Sequence, residues 1–210
     1  MEDNVIKKYF EGITKVQEEK FLQFENLFRE WNEKINLVSR KDIDNLQVHH
    51  ILHSLSIAKI IDFTDGTFIV DVGTGGGLPG IPLAIMFPNV QFLLVDSVAK
   101  KITAAGAIVR ELKLDNVETQ VGRVESMNIK CDFAVSRAVT TFPEMMNFLK
   151  GKFLKTNKNT LPNGLIYLKG GDYMKELNAI DNNYRIFRIS DFFQEEYFAT
   201  KEIVWVRYFL

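Results

Sequence analysis

Five glycines fall between Asp71 and Gly80 in the stretch FIVDVGTGGGLPGIPLA, which runs from one apolar segment to another through Pro79. Glycine lacks the Cβ that keeps a ligand away from the main chain, so Gly73, Gly75 and Gly77 predict a tight turn whose backbone touches a ligand directly. Asp71 precedes the turn, and Asp96 follows 25 residues later at the end of VQFLLVD. In that position an acid can accept hydrogen bonds from both hydroxyls of a ribose. Arg137, at the end of DFAVSR, adds a planar cation suited to a carboxylate or a phosphate. Together these residue types describe a site for a nucleoside that carries a charged tail.

Two nucleoside classes fit. Gly75, Gly77 and Gly80 satisfy G-x-G-x-x-G, the spacing of dinucleotide sites, whereas Asp71-x-Gly73-x-Gly75 is the acidic glycine loop of class I methyltransferases. The acid favours the second class: a carboxylate at Asp71 would repel a pyrophosphate, yet it can accept hydrogen bonds from the amino acid portion of S-adenosylmethionine. A nicotinamide-dependent oxidoreductase is the alternative. Its proton-transfer pair would have to be Tyr197 and Lys201 in YFATK, far downstream and at a spacing common among surface residues.

The elements that must position these residues are legible as patterns. From Thr67 onward, short apolar runs alternate with helical stretches, which predicts βαβ units and a parallel sheet. Strands are expected at TFIVDV, VQFLLVD, VETQV, DFAVS, GLIYLKG, YRIFRIS and KEIVWVRYF. Helices are expected near Pro79 to Phe87, Lys100 to Lys113 and Phe142 to Leu154, with one more after Asp172. Pro79 suits a first helical turn, where its missing N–H has no intrahelical partner. Before Thr67 the pattern is helical. Thr14 and Gln17 resemble a capping box ahead of an apolar face that includes Phe21, Phe24, Phe28 and Trp31, and a second helix is expected from Asp42 through Ile61. We therefore read residues 1–64 as a helical N-terminal extension and residues 65–210 as a Rossmann-like domain, α/β in class.

Composition sets outer bounds. A length of 210 residues accommodates one α/β domain and an extension, and 46% hydrophobic with 25% charged residues is ordinary for a globular chain. A net charge of −1 argues against coating nucleic acid through bulk positive charge, so a polyanion must be held locally. Cys131 is the single cysteine, which excludes an internal disulfide and suits a reducing cytoplasm. Neither a signal peptide nor a membrane span is expected. His49 and His53 stand four apart on the expected second helix, but without H-E-x-x-H no metal site is expected.

Several stretches, WNEKINLVSRKD, HHILHSL, DVGTGGGLPGIPLAI, VDSVAKK, GRVE, SRAV and LKGG, together resemble the bacterial 16S ribosomal RNA guanine-N7 methyltransferase family, also called RsmG or glucose-inhibited division protein B. They span Trp31 to Gly171. The resemblance implies a seven-stranded, mostly parallel class I methyltransferase sheet. It also implies S-adenosylmethionine as methyl donor and one guanosine of small-subunit ribosomal RNA as acceptor. Cofactor contacts implied by it are Gly73 and Leu78 in the loop, Asp96 at the ribose, Val124 and Glu125 near the adenine, and Arg137 in the same pocket. Where the family commonly reads R-H-I-L-D-S, this chain has His49, His50, Ile51, Leu52, His53 and Ser54, so an arginine and an aspartate are replaced by histidines.

The residues agree with such chemistry. Guanine N7 offers a lone pair with no proton to remove, so no general base is needed and the enzyme has chiefly to align the reactants. After DFAVS comes Arg137-Ala138, not the Asn/Asp-Pro-Pro-aromatic loop of exocyclic amine methyltransferases, and Cys131 lies at the wrong end of its strand for a cysteine-adduct mechanism. N7 in an A-form helix lies in a groove too deep and narrow to enter, so the target should be unpaired. Expected grips on the RNA backbone are Arg40, Lys41, Lys100, Lys101, Arg123 and Lys169, together with Lys150, Lys152, Lys155 and Lys158. A non-catalytic RNA-binding module is the remaining rival.

Overall fold

The structure, a computed structural model, describes residues 5–137, 139–180 and 183–208. Ala138 of the SRAV stretch lies outside the described residues. Seven strands form one sheet: β1 (Phe68–Val72), β2 (Gln91–Asp96), β3 (Val117–Val121), β4 (Phe133–Arg137), β5 (Gly164–Gly170), β6 (Tyr184–Arg188) and β7 (Lys201–Arg207). Their order is β3-β2-β1-β4-β5-β7-β6. The first five strands are parallel, and β7 runs antiparallel to both β5 and β6. All seven expected strands are present.

The helices are α1 (Val5–Tyr9), α2 (Lys15–Lys34), α3 (His53–Leu55), α4 (Gly80–Met86), α5 (Ala99–Glu111), α6 (Phe142–Phe148) and α7 (Met174–Leu177). Both sheet faces are covered, which is why the central strands read as continuous apolar runs. Successive residues serve opposite cores: Ile69, Phe92 and Leu94 join Phe21, Phe24 and Phe28 of α2, whereas Val70, Leu93 and Val95 join Phe142, Met145 and Leu149. The capping box at the start of α2 is formed, with Gln17 N–H donating to Thr14 Oγ1 and Thr14 N–H donating to Gln17 Oε1. Gln17 Nε2 also donates to the carbonyls of Ile85 and Met86 and so pins α2 to the end of α4.

Two helices differ from expectation. The helix begun at Phe142 ends at Phe148, and Gly151 at φ +71° then takes the chain back to a bridge between Cys131 and Phe153. The expected helix from Asp42 to Ile61 is a mixture: a 3₁₀ turn at Ile43–Asn45, a π-helix at Leu46–Leu52, the short α3, then a 3₁₀ turn at Ser56–Lys59. Ser54 Oγ donates to the His50 carbonyl and Ser56 Oγ to that of His53, so two hydroxyls compete with main-chain N–H groups for helix acceptors. Pro79 is the residue before α4 rather than part of its first turn.

No helix among the described residues is long and apolar enough to cross a membrane.

Candidate functional site

The strand order changes direction between β1 and β4, because the chain leaves β1 toward β2 and β3 and then returns to the other side of β1. Such a switch point opens a crevice at the carboxyl ends of the strands. A cleft of about 460 Å³ lies there, lined by Val72, Val95, Asp96 and Arg137 from those ends. This volume is within the roughly 300–1,000 Å³ of small-molecule pockets.

One wall is main chain. Gly73 and Thr74 both donate to the Val95 carbonyl, at 2.8 and 3.0 Å, which folds the glycine turn back onto β2. Gly75 adopts φ +58°, a conformation that disfavours side chains, and a Cβ built on it would meet nothing within 4 Å. Its N–H donates to Asp96 Oδ2 at 2.9 Å, and Val98 N–H donates to Oδ1 at 2.8 Å. A carboxylate offers about four lone-pair sites, so each Asp96 oxygen keeps one for a ligand. Two acceptors this close together match the two hydroxyls of a ribose.

Asp71 sits elsewhere than its expected place at the amino acid end of a cofactor. Strand alternation turns it away from Val72, which lines the cleft, and it is fully buried beneath the glycine turn. Its Oδ2 accepts from Thr74 Oγ1 at 2.6 Å and from Gly80 N–H at 2.8 Å, and its Oδ1 has no hydrogen-bond partner. Burial pushes this carboxyl up to about 7, against the opposing pull of Thr74, Gly80 and the Arg137 charge. A Cβ at Gly80 would lie 2.2 Å from Leu94 Cδ2 and 2.7 Å from Asp71 Oδ2, so this glycine serves close packing. Gly77 likewise does not line the cleft, whereas Gly73, Gly75, Leu78, Val124, Glu125 and Arg137 do.

Arg137 also lines the cleft, and side chains from distant segments that do not line it stand behind this residue. Arg137 Nη1 donates to His50 Nδ1 at 3.0 Å and approaches the His49 carbonyl at 3.4 Å. His50 Nε2 lies 2.7 Å from Asp42 Oδ2, and His49 Nδ1 lies 2.6 Å from Asp42 Oδ1. Burial, then the Arg137 charge, bring the His50 imidazole down to about 4, so it is neutral at pH 7. Burial pushes the Asp42 carboxyl up, yet the two imidazoles together leave it below its ordinary value. His53, where the sequence departs from the resembled pattern, is buried with no partner on either ring nitrogen, and burial holds its imidazole well below the usual range. Two histidines thus join a charge network here, while the neutral His53 ring packs edge-on against Tyr197 and Phe198.

Leu37 and Phe148 also line the cleft, and sequence reasoning missed both. Leu37 arrives because Asn32 Oδ1 accepts from the N–H groups of Leu37 and Val38, both at 2.9 Å, turning the chain after α2 toward Gly76. Only an asparagine in the last turn of a helix hinted at that bend.

The expected RNA cations divide. Lys101 and Arg123 reach the cleft rim, where Arg123 stands 3.6 Å from Glu125, while Arg40, Lys41, Lys100, Lys150 and Lys155 are exposed. Lys169 corrects the expectation: its side chain is only 11% exposed, donates to the Thr140 carbonyl and pairs with Glu176. Lys152 is buried and donates to the carbonyls of Glu125 and Met127, and Lys158 pairs with Asp132. These three are consumed in holding loops. Tyr197, expected at the surface, stacks on His49 with ring centroids 3.7 Å apart, and neither it nor Lys201 lines the cleft. Cys131 is buried and its thiol is pushed up to about 12, which keeps it protonated.

Residues 17–202 match a family model described as GidB, rRNA small subunit methyltransferase G. A protein of Flavobacterium johnsoniae named ribosomal RNA small subunit methyltransferase G is 48% identical over 199 residues, covering 95% of each chain. One of the same name from Porphyromonas gingivalis is 48% identical over 203 residues, covering 96% of this chain and 92% of its own. Among solved structures, an Aquifex aeolicus SAM-dependent methyltransferase superposes with a TM-score of 0.55 at 16% identity, over 80% of this chain and 98% of its own. A Geobacter metallireducens precorrin-6y C5,15-methyltransferase also gives 0.55, at 8% identity, over 82% and 90%. At such identities these two show the fold, a class I methyltransferase sheet.

Proposed function

The chain belongs to the rRNA small subunit methyltransferase G family, and from that premise we propose that it transfers a methyl group from S-adenosylmethionine to N7 of one guanosine in 16S ribosomal RNA. The observation that carries the cofactor half is Asp96, with both oxygens steadied by main-chain N–H groups and each still able to accept a ribose hydroxyl beside a side-chain-free turn.

S-adenosylmethionine supplies an electrophilic methyl carbon on a sulfonium sulfur. Asp96 would hold the ribose, Val124 and Glu125 would lie near the adenine, Gly73, Gly75 and Leu78 would line the same pocket as main chain and an apolar contact, and Arg137 would pair with the amino acid carboxylate. Asp71 and Gly77 act from beneath, by holding the glycine turn in shape. Guanine N7 carries no proton, so no residue of the cleft has to act as a base. What these residues contribute is alignment of the two reactants in a walled cleft.

The target is an unpaired or splayed guanosine, since a paired one hides N7 in a narrow groove. Arg40, Lys41, Lys100, Lys101, Arg123, Lys150 and Lys155 are the expected cations left to grip its phosphates. The division of the chain into residues 1–64 as extension and 65–210 as methyltransferase domain is part of the same reading, as is a cytoplasmic location, where Cys131 stays a thiol.

The test is direct. Labelled S-adenosylmethionine is incubated with the protein and either naked unmodified 16S RNA or unmodified small subunits, and the methylated base is mapped. One N7-methylguanosine is expected; label on an exocyclic amine or a pyrimidine, or no transfer to either substrate, refutes the proposal.

A further inference from the structure

Arg137 can only donate hydrogen bonds and an ionised aspartate can only accept them. Between the two stands His50, with Nδ1 at 3.0 Å from Arg137 Nη1 and Nε2 at 2.7 Å from Asp42 Oδ2. Those two contacts admit a single state of the ring: a lone pair on Nδ1 facing the guanidinium and a proton on Nε2 facing the carboxylate. The other Asp42 oxygen accepts from His49 Nδ1 at 2.6 Å, so both carboxylate oxygens are committed to imidazole N–H groups. Both histidines belong to the π-helical stretch Leu46–Leu52, a form often found at functional sites.

We propose that Asp42 and His50 are positioning residues that aim Arg137 at the carboxylate of the bound cofactor. This rests on the cofactor assignment made above. Asp42 fixes the imidazole tautomer, and the tautomer in turn presents one acceptor to Arg137 from His50, which does not itself line the cleft. Nη1 also donates to the His49 carbonyl at 3.4 Å, which leaves Nε and Nη2 to face a ligand. A direct Asp–Arg pair would engage the guanidinium through its bidentate face. An interposed neutral ring holds it by a single contact.

The arrangement predicts an unusual pattern of substitutions. His50→Leu keeps the bulk and removes both contacts. His50→Gln can present a carbonyl to Arg137 and an amide N–H to Asp42, which mimics the assigned tautomer. Asp42→Asn offers one acceptor to two imidazole N–H groups, so where its amide faces His50 the ring must carry its proton on Nδ1, against Arg137.

The experiment compares two probes by calorimetry: S-adenosylhomocysteine, which has the carboxylate, and 5′-methylthioadenosine, which lacks the amino acid. His50→Leu and Asp42→Asn are expected to weaken S-adenosylhomocysteine about tenfold or more and to leave methylthioadenosine within about twofold, whereas His50→Gln, with Asp42 intact, is expected to bind both as the wild type does. Equal binding of S-adenosylhomocysteine by His50→Leu and wild type overturns the proposal. So does a parallel loss of both probes, which would place His50 in the fold alone. Methyl transfer by the wild type, measured in the same samples, reports on the proposed function separately, because only differences between variants bear on the relay.

Discussion

On one side of the cleft Asp96 is held by the N–H of Gly75, 21 positions earlier, and by that of Val98, two positions later. On the other side Arg137 is held by His50, 87 positions earlier, and through it by Asp42. The first wall is local and largely backbone, so its geometry follows from where the glycines permit the chain to turn. The second is assembled from side chains whose protonation states must agree. A backbone wall fails when atoms collide; a side-chain wall fails when a charge or a tautomer changes.

Removing Arg137 should separate the two most sharply. Arg137→Ala deletes the only guanidinium of the β4 end while the backbone wall stands intact. We expect transfer to fall by about 10²–10³-fold, the scale of losing a preorganised charged donor, with little change in the thermal unfolding midpoint. Near-normal turnover in a labelled-methyl assay would show that the second wall is scaffolding only.

Acid should attack the two walls with opposite signs. His50 ionises near 4 in the folded chain against an ordinary 6.5, so the unfolded chain binds more protons between those values and stability is lost as pH falls through that window. Arg137 from β4, Asp42 from before the π-helix, and His49 and His53 from its own helical stretch all face this ring. Asp71, raised to about 7 from 3.8, works the other way: the folded chain binds more protons between those values, so its contribution to stability declines as pH rises toward 7. The overlap makes the wild-type profile shallow. Comparison with His50→Gln isolates the histidine, and between pH 7 and pH 4 the wild type should lose about 3 kcal/mol relative to that variant in urea unfolding. Parallel profiles would mean that His50 takes up its proton at no cost to the fold.

The backbone wall should break by collision. A methyl at Gly80 would sit 2.2 Å from Leu94 Cδ2 and 2.7 Å from Asp71 Oδ2, so Gly80→Ala should cost about 1–3 kcal/mol of stability through overpacking. Gly75→Ala meets no atom within 4 Å and bears only the strain of φ +58°, about 1 kcal/mol. If chemical denaturation ranks Gly75→Ala as the worse of the two, the tight approach of α4 to β1 and β2 is wrong.

The same contrast governs what could be read from the sequence. The strand, turn and helix around Gly73 to Gly80 are patterns within twenty residues, and Asp96 follows at the end of the next strand; periodicity and glycine spacing suffice to place them. Proximity to the turn suggests a ligand contact for Asp71, whereas strand alternation puts it on the face away from Val72 and beneath the turn. Apolar periodicity carries the expected helix on to Leu154, but Gly151 at φ +71° marks the turn after α6. Arg137 could be placed at a strand end, but not its partners: nothing in HHILHSL shows that His49 and His50 meet Asp42 while His53 packs against Tyr197 and Phe198. The sequence offers Lys152, Lys158 and Lys169 as RNA grips equally with the exposed cations, because it does not show which carbonyls and carboxylates lack partners.

That last difference supplies the smallest effect and a clean distinction. Lys100 and Arg40 are exposed, while Lys169 spends its charge on Thr140 and Glu176. An exposed cation on a phosphate contributes by counterion release, so Lys100→Gln or Arg40→Gln should each lower the slope of log affinity against log salt by about 0.7 for an unpaired RNA, with the unfolding temperature unchanged. Lys169→Gln should leave that slope alone and lower the unfolding temperature, because the Thr140 carbonyl and the Glu176 carboxylate lose a shared donor. Filter binding across a salt series, run beside thermal unfolding, measures both. A Lys169 variant that shifts the slope with undiminished stability would return this lysine to the RNA face and show that a half-buried, paired ammonium can still be released to a phosphate.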